Sequence, residues 1–143
     1  MQKKQLQKWG CFCYDGGMLL IKASVKSSSI HGLGLFAGEA ILRGTRIWQF
    51  SPGLDAEIDP AHFEKLDQRE KDFILFYGFR SKKSGNYHLS YDNVRFINHA
   101  EQGNVTVDTS GDDIEYPLIA ARDIKAGEEL KQNYYDFDEH HQL

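Results

Sequence analysis

Asn93-Val94-Arg95-Phe96-Ile97-Asn98-His99 is the stretch on which the reading of this chain turns. A short apolar strand over Val94–Ile97 is expected to end in two polar side chains, Asn98 and His99. Alone, the pair reads as a turn former followed by a satisfied polar residue. Two other stretches give it company. Upstream, His31-Gly32-Leu33-Gly34-Leu35-Phe36-Ala37 places two glycines before an apolar run. It has neither the third glycine of a dinucleotide fingerprint nor a following GKS or GKT, but its backbone is open to close approach. Downstream, Ala126-Gly127 makes a turn, and Glu128-Glu129-Leu130-Lys131-Gln132-Asn133-Tyr134-Tyr135 follows as a strand ending in two tyrosines. Adjacent strand residues point to opposite faces, so at most one of those tyrosines lines a given pocket.

Between these stretches the chain alternates short strands with turns. Strands are expected over 19–25, 46–50, 87–91, 105–107, 116–121 and 129–134, with a turn at Gly111-Asp112-Asp113. One region is helical. Asp59-Pro60 reads as an N-cap with proline in the first helical position, and Asp67 with Glu70 as a second cap. Phe73, Phe76 and Tyr77 fall at i, i+3 and i+4, which predicts an apolar stripe packed in the core, with Gly78 as the stop. Many short strands with one helical insertion at 59–79 make a mainly-β α+β domain over 18–138. A polar leader (1–17) precedes it and an acidic tail (139–143) follows.

Composition narrows the function classes. The 143 residues are 41% hydrophobic and 27% charged, as expected of one soluble globular domain. The net charge of −4 disfavours direct nucleic-acid binding and suits a basic partner. Asp55, Glu57 and Asp59, with Asp112, Asp113 and Glu115, read as solvated acidic surface. The apolar run Met18–Ile21 is too short for a membrane span, and the basic N-terminus lacks the apolar stretch of a secretory signal. Cys11 and Cys13 suit a reducing, intracellular compartment, and as a zinc site they are half built. No nucleophile elbow and no metal-ligating histidine pair is present.

Taken in order, the three stretches resemble the SET domain, the fold of protein lysine methyltransferases. The pattern G-x-G-L-F-A matches Gly32–Ala37, I-x-x-G matches Ile41–Gly44, R-F-x-N-H matches Arg95–His99, and G-E-E-L-x-x-D-Y matches Gly127–Tyr134. The likeness covers Leu19 to Asp138. It departs at Ala100, Gly103, Gln132 and Asn133, where the family usually has Ser or Cys, Pro, an aromatic and Asp. The Cys-rich segment that follows the domain in many members is absent, so the chain is similar to the small stand-alone bacterial type.

The resemblance implies a β-clip of small curled sheets with a C-terminal pseudoknot, and S-adenosylmethionine as cofactor. It implies cofactor contacts from His31, Gly32, Leu33 and Gly34, from Tyr87 and Arg95, and from Asn98, His99 and Tyr134. It gives Tyr134 the catalytic role. Phe50, Tyr91, Gln132 and Phe137 would line a channel for the lysine of a basic protein or peptide substrate. The chemistry suits such a channel. Lysine must react as a neutral amine, and at pH 7 only about one in 2,500 is neutral in water. A narrow apolar channel beside a sulfonium charge lowers that pKa. Ala100, Gln132 and Asn133 also suit a second reading, an interaction module that keeps the fold without turnover. A small metal or redox module built on Cys11 and Cys13 is a third.

Overall fold

Leu33-Gly34-Leu35-Phe36-Ala37 alternates in burial, with Leu35 and Ala37 inside, and so forms strand β2 (Leu33–Ala37) of an antiparallel hairpin with β1 (Ala23–Ser27). The computed structural model describes residues 19–139, so Cys11 and Cys13 and the zinc reading lie outside the described residues. None of the helices in this range is long and apolar enough to cross a membrane. Strands β3 (Arg46–Trp48), β4 (Ala56–Ile58), β5 (Phe79–Arg80), β6 (Tyr87–Leu89), β7 (Asn98–His99), β8 (Val105–Val107), β9 (Leu118–Ala120) and β10 (Lys131–Gln132) complete two more sheets. One has the order β3-β9-β8-β10-β7 and the other β4-β6-β5. The mainly-β architecture of small sheets is as the sequence predicts.

Several expected strands are shorter. The sharpest difference is at 94–97, where Asn93–Phe96 is a 3-10 turn, capped by the Asp92 carboxylate accepting from the Val94 N–H. Tyr134–Asp136 forms a second such turn rather than the end of a strand. In both, a capping Asp or Asn competes with the extended backbone that the apolar residues favour.

The helical insertion is α1 (Pro60–Lys65) and α2 (Gln68–Tyr77). Asp59 accepts from the His62 N–H, and Asp67 with Glu70 forms a reciprocal capping box. Gly78 ends α2; a Cβ there would lie 2.3 Å from the His88 carbonyl, so the helix end needs glycine to lie against β6. The expected stripe is corrected. Phe73 is 47% exposed and Phe76 69%, while Ile74 is the buried residue of α2. Ile74 packs with Phe63 and Tyr87 in a small second cluster, where the Phe63 and Tyr87 rings stack 3.9 Å apart. The space beneath the helix is filled from α1 and β6, so Phe73 and Phe76 stay exposed while Tyr77 turns toward Phe96.

The main core holds Leu35, Ile47, Val105, Ile124 and Leu130, all essentially buried. It lies beneath the central feature of the topology. β10 is parallel to both neighbours, pairing Lys131 with Asn98, and Gln132 with His99 and Val105. Those neighbours are joined by the loop 100–104, so the C-terminal strand passes beneath that loop. This is the expected pseudoknot. Asn104 holds the crossing: its amide Nδ2 donates to the Glu129 carbonyl at 2.9 Å, and its Oδ1 accepts from the Lys131 N–H at 2.8 Å. Ala100 N–H donates to the Gln132 carbonyl at 3.1 Å. A Cβ on Gly103 would sit 2.5 Å from the Lys131 carbonyl oxygen and 2.9 Å from the Gln132 Cα, so the loop needs glycine to lie this close to the threaded strand.

Two substitutions test the crossing by urea unfolding followed by circular dichroism. Asn104→Ala leaves a buried carbonyl and N–H without partners and is expected to cost about 1–3 kcal/mol. Gly103→Ala forces the loop off the strand and is expected to lower the midpoint further, because both colliding atoms are backbone. A wild-type midpoint for both would show that the crossing contributes nothing.

Candidate active site

The three stretches converge on the carboxylate of Glu129. Asn98, buried on β7, donates its Nδ2 to the carbonyls of His31 (3.2 Å) and Leu33 (3.1 Å) and to Glu129 Oε1 (2.9 Å). The same Oε1 accepts from Ser28 Oγ at 2.7 Å. A Cβ on Gly34 would stand 2.3 Å from Glu129 Oε1, so this glycine admits the carboxylate. Gly32 has φ +46°, a backbone conformation that favours glycine. His31–Gly34 and Asn98 are thus tied together, as the ordered set of motifs predicts. The Asn98 amide is spent on that tie.

The parallel pairing of β7 with β10 then delivers Tyr134 to His99. Tyr134 N–H donates to His99 Nδ1 at 3.1 Å, which places the ring proton of neutral His99 on Nε2. The Tyr134 hydroxyl donates to the Ile97 carbonyl. Burial, and secondarily the Asp138 carboxylate, pushes the Tyr134 phenol up to about 12. Tyr135 is exposed, its ring meeting His99 edge-on at 5.6 Å. Asn133 caps this turn through its Oδ1, accepting from the Tyr135 N–H at 3.1 Å, while its Nδ2 donates to the Glu101 carbonyl at 3.3 Å. The second of those bonds needs an amide, so Asn133 fastens the turn to the crossing loop in a way that aspartate cannot.

The chain after Tyr134 folds back along β5. Lys82 N–H donates to the Phe137 carbonyl and Glu139 N–H to the Arg80 carbonyl, both at 2.9 Å. This sets Phe137 against Phe79 (4.8 Å between centroids) and Tyr134 (5.7 Å).

Beside Tyr134 lies a cavity of about 90 Å³, walled in part by Tyr77, Arg95, Ile97, Gln132 and Phe137. Four buried polar atoms of wall residues have no hydrogen-bond partner among the described residues: Trp48 Nε1, Arg95 Nε, Gln132 Nε2 and Glu115 Oε2. Buried polar groups are rarely left so, and their concentration around one cavity fits a polar ligand there. Of the residues expected at the site, Tyr134, Arg95, Gln132 and Phe137 stand in this wall. His31, Gly32, Leu33, Gly34, Asn98 and His99 are outside this wall; Asn98 follows the wall residue Ile97, and His99 accepts from the Tyr134 N–H.

Three expected site residues lie elsewhere. Tyr87 belongs to the second cluster, stacked on Phe63. Phe50 packs on the main core and meets His88 edge-on at 5.1 Å. Tyr91 is half exposed, its N–H donating to Asp55 Oδ1 at 3.1 Å.

The acidic surface reading is corrected at two positions, since Asp55 and Glu115 are buried. Burial raises the Asp55 carboxyl, against the N–H bonds from Ser51 and Tyr91 that lower it. Sequence reasoning also missed the buried His88, which lies 3.3 Å from Glu57 Oε2 and 3.5 Å from Glu115 Oε2. The alternation in Tyr87-His88-Leu89 assigns His88 to one sheet face, but nothing local signals that the face is buried.

Comparison with known proteins agrees with this geometry. The SET domain family model matches residues 32–135. Among curated protein sequences, none matches the chain. Among solved structures, apo Polycomb Repressive Complex 2 of Chaetomium thermophilum, with two substitutions in Ezh2, is similar at 25% identity and TM-score 0.63. The match covers 83% of this chain and 16% of that one. The same complex in an autoinhibited conformation bound to S-adenosylmethionine is similar at 26% identity and TM-score 0.56, over 85% of this chain and 16% of that one. A crystal structure from Plasmodium falciparum, described as a candidate histone methyltransferase, shares the fold at 19% identity and TM-score 0.57, over 80% of this chain and 93% of that one. A match spanning both glycines, Asn98-His99 and Tyr134, together with the threaded strand that joins them, identifies the chain as a member of the SET domain family.

Proposed function

We propose that this protein transfers a methyl group from S-adenosylmethionine to the side-chain amine of a lysine in a basic protein. The observation that carries the reading is the buried Tyr134 hydroxyl at a cavity whose wall bears four orphaned polar atoms, tied through His99 to the Asn98–Glu129 nexus. These residues fit the cofactor. When bound, it supplies a carbon activated for displacement by its positive sulfur. Backbone groups of 31–34 and 98–99 not already bonded within the protein would hold it, since Asn98 Nδ2 is committed to the His31 and Leu33 carbonyls.

The chain's own residues do the rest. Tyr77, Phe137 and Ile97 present apolar surface that disfavours an ammonium, which lowers the pKa of an entering lysine. Tyr134, neutral at any physiological pH, holds its hydroxyl in place through the Ile97 carbonyl and its backbone through His99. It orients the reacting groups and meets the charge that shifts during transfer. The net charge of −4 attracts a basic substrate. A binding module without turnover would keep cofactor affinity but transfer nothing.

Incubation with methyl-tritiated S-adenosylmethionine and core histones, as a basic protein probe, is expected to label lysine. Binding of S-adenosylhomocysteine without transfer to this or any lysate protein would select the module instead. Tyr134→Phe is expected to lower turnover about 100-fold or more while calorimetry shows unchanged cofactor affinity. Turnover within a factor of two of wild type would remove Tyr134 from the mechanism. The raised phenol has a signature of its own. Burial penalises the phenolate, so the stability this gives is complete below pH 10 and is lost as pH rises toward 12. Absorbance at the phenolate band should therefore show one tyrosine ionising near pH 12, absent from Tyr134→Phe. The same titration curve in both proteins would contradict that burial.

A further inference from the structure

Glu115 precedes β9 and stands in the cavity wall with only 1% of its surface exposed. Its Oε1 accepts the Tyr116 N–H at 2.8 Å. Its Oε2 has no hydrogen bond, and among the described residues no Lys or Arg forms an ion pair with it. The nearby Lys83 is committed elsewhere, donating to the Asp113 carbonyl with its ammonium over the Tyr116 ring. A buried carboxylate without a cation is costly, so its retention at a cavity wall calls for a reason.

Among the described residues, the group that forms an ion-pair contact with Glu115 Oε2 is His88, whose Nε2 lies 3.5 Å away. His88, on β6, is itself 1% exposed, with its ring stacked on Phe79 and met edge-on by Phe50. The same Nε2 lies 3.3 Å from Glu57 Oε2 and 3.2 Å from Ser84 Oγ. Glu57 faces His88 across the β4–β6 pairing, and its side chain is 36% exposed. Both carboxylates therefore meet one nitrogen of a buried imidazole, Glu115 from the cavity wall and Glu57 from the more exposed side.

We propose that Glu115, His88 and Glu57 form a relay that carries the proton of the substrate ammonium out of the cavity. The inference rests on the lysine-methylation reading above. Each transfer forms an N–C bond, breaks an S–C bond and consumes one neutral amine, so one proton must leave per cycle. The ammonium N–H breaks as an O–H forms on Glu115. That O–H passes its proton to His88 Nε2, giving the imidazolium, which then releases it from Nε2 to Glu57 and to water. All three groups return to their starting states, and no oxidant or reductant is involved. The one nitrogen can take and pass the proton because the neutral ring carries its own hydrogen on Nδ1 in this step. Burial lowers the pKa of His88, while the charges of Glu115 first and Glu57 second oppose that shift. The ring is thus neutral at rest and is still stabilised by two carboxylates when it carries the proton.

Methyl transfer to core histones by the full chain, measured between pH 6.5 and 10 at saturating cofactor, tests the relay. In Glu115→Gln, turnover at pH 7 is expected to fall about 10-fold and to return toward wild type near pH 10, where the lysine amine frees itself. Glu57→Gln, at the solvent end, keeps the core intact and is expected to shift the same profile by a smaller amount. Cofactor affinity should not change in Glu57→Gln. A loss that is constant across pH, or no loss, would overturn the relay and leave the methyltransferase reading standing. A Glu115→Gln protein that does not fold leaves the decision to the Glu57→Gln profile. Failure of the wild-type protein to transfer methyl to any lysine would overturn both.

Discussion

A strand of two residues, threaded beneath a five-residue loop, sets the position of nearly every polar group discussed above. β10 has no length to hold itself in place. It is held because Asn104 supplies, from its side chain, an acceptor and a donor that complete the ladder on either side of Leu130. Gly103 lets the loop approach to within backbone contact. Leu130 itself is wholly buried in the main core, so burial pins the strand from below while Asn104 pins it from above. Once the strand is in place, Glu129 on one side reaches Asn98 and Gly34, and Tyr134 on the other reaches His99. Site geometry and knot geometry are one constraint.

That constraint brings polar side chains inside. Asn98, Glu129, Asn104, Gln132, His88 and Glu115 lie within or against the interior, and they divide into two kinds. Asn98, Glu129 and Asn104 are satisfied by the protein and serve as ties. Gln132 and Glu115 at the cavity, and His88 behind Glu115, each keep an atom without a partner among the described residues. Satisfied networks rigidify, and unsatisfied ones are costly unless a ligand uses them. The unpartnered atoms of Trp48, Arg95, Gln132 and Glu115 set the cavity wall apart from the satisfied Asn98 nexus.

The helical insertion shows where periodicity misleads. Phe73, Phe76 and Tyr77 carry the spacing of a buried stripe, yet Ile74 is the residue inside. A helix of ten residues over a sheet of three short strands has too little surface beneath it to cover a full apolar face. Phe76 and Tyr77 instead extend to the rim of the cavity, where their rings add to its apolar wall. Local caps were legible because their chemistry is complete within four residues. Burial of a stripe depends on what stands opposite it, and that belongs to the tertiary structure.

From the residues alone came the mainly-β class, the helical insertion with both caps, and three ordered stretches whose similarity to one family named the fold. Their signals are local: turn glycines, capping carboxylates and short motifs survive being read one window at a time. Other features formed only on folding. The placement of Tyr87, Phe50 and Tyr91 away from the cavity wall, the burial of Asp55 and Glu115 in stretches that read as acidic surface, and the meeting of Glu115 and Glu57 at His88 depend on contacts between residues far apart along the chain. No spacing rule reaches across such separations. Sheet register and the threaded strand decide them, because only these determine which side chain faces water and which faces another side chain.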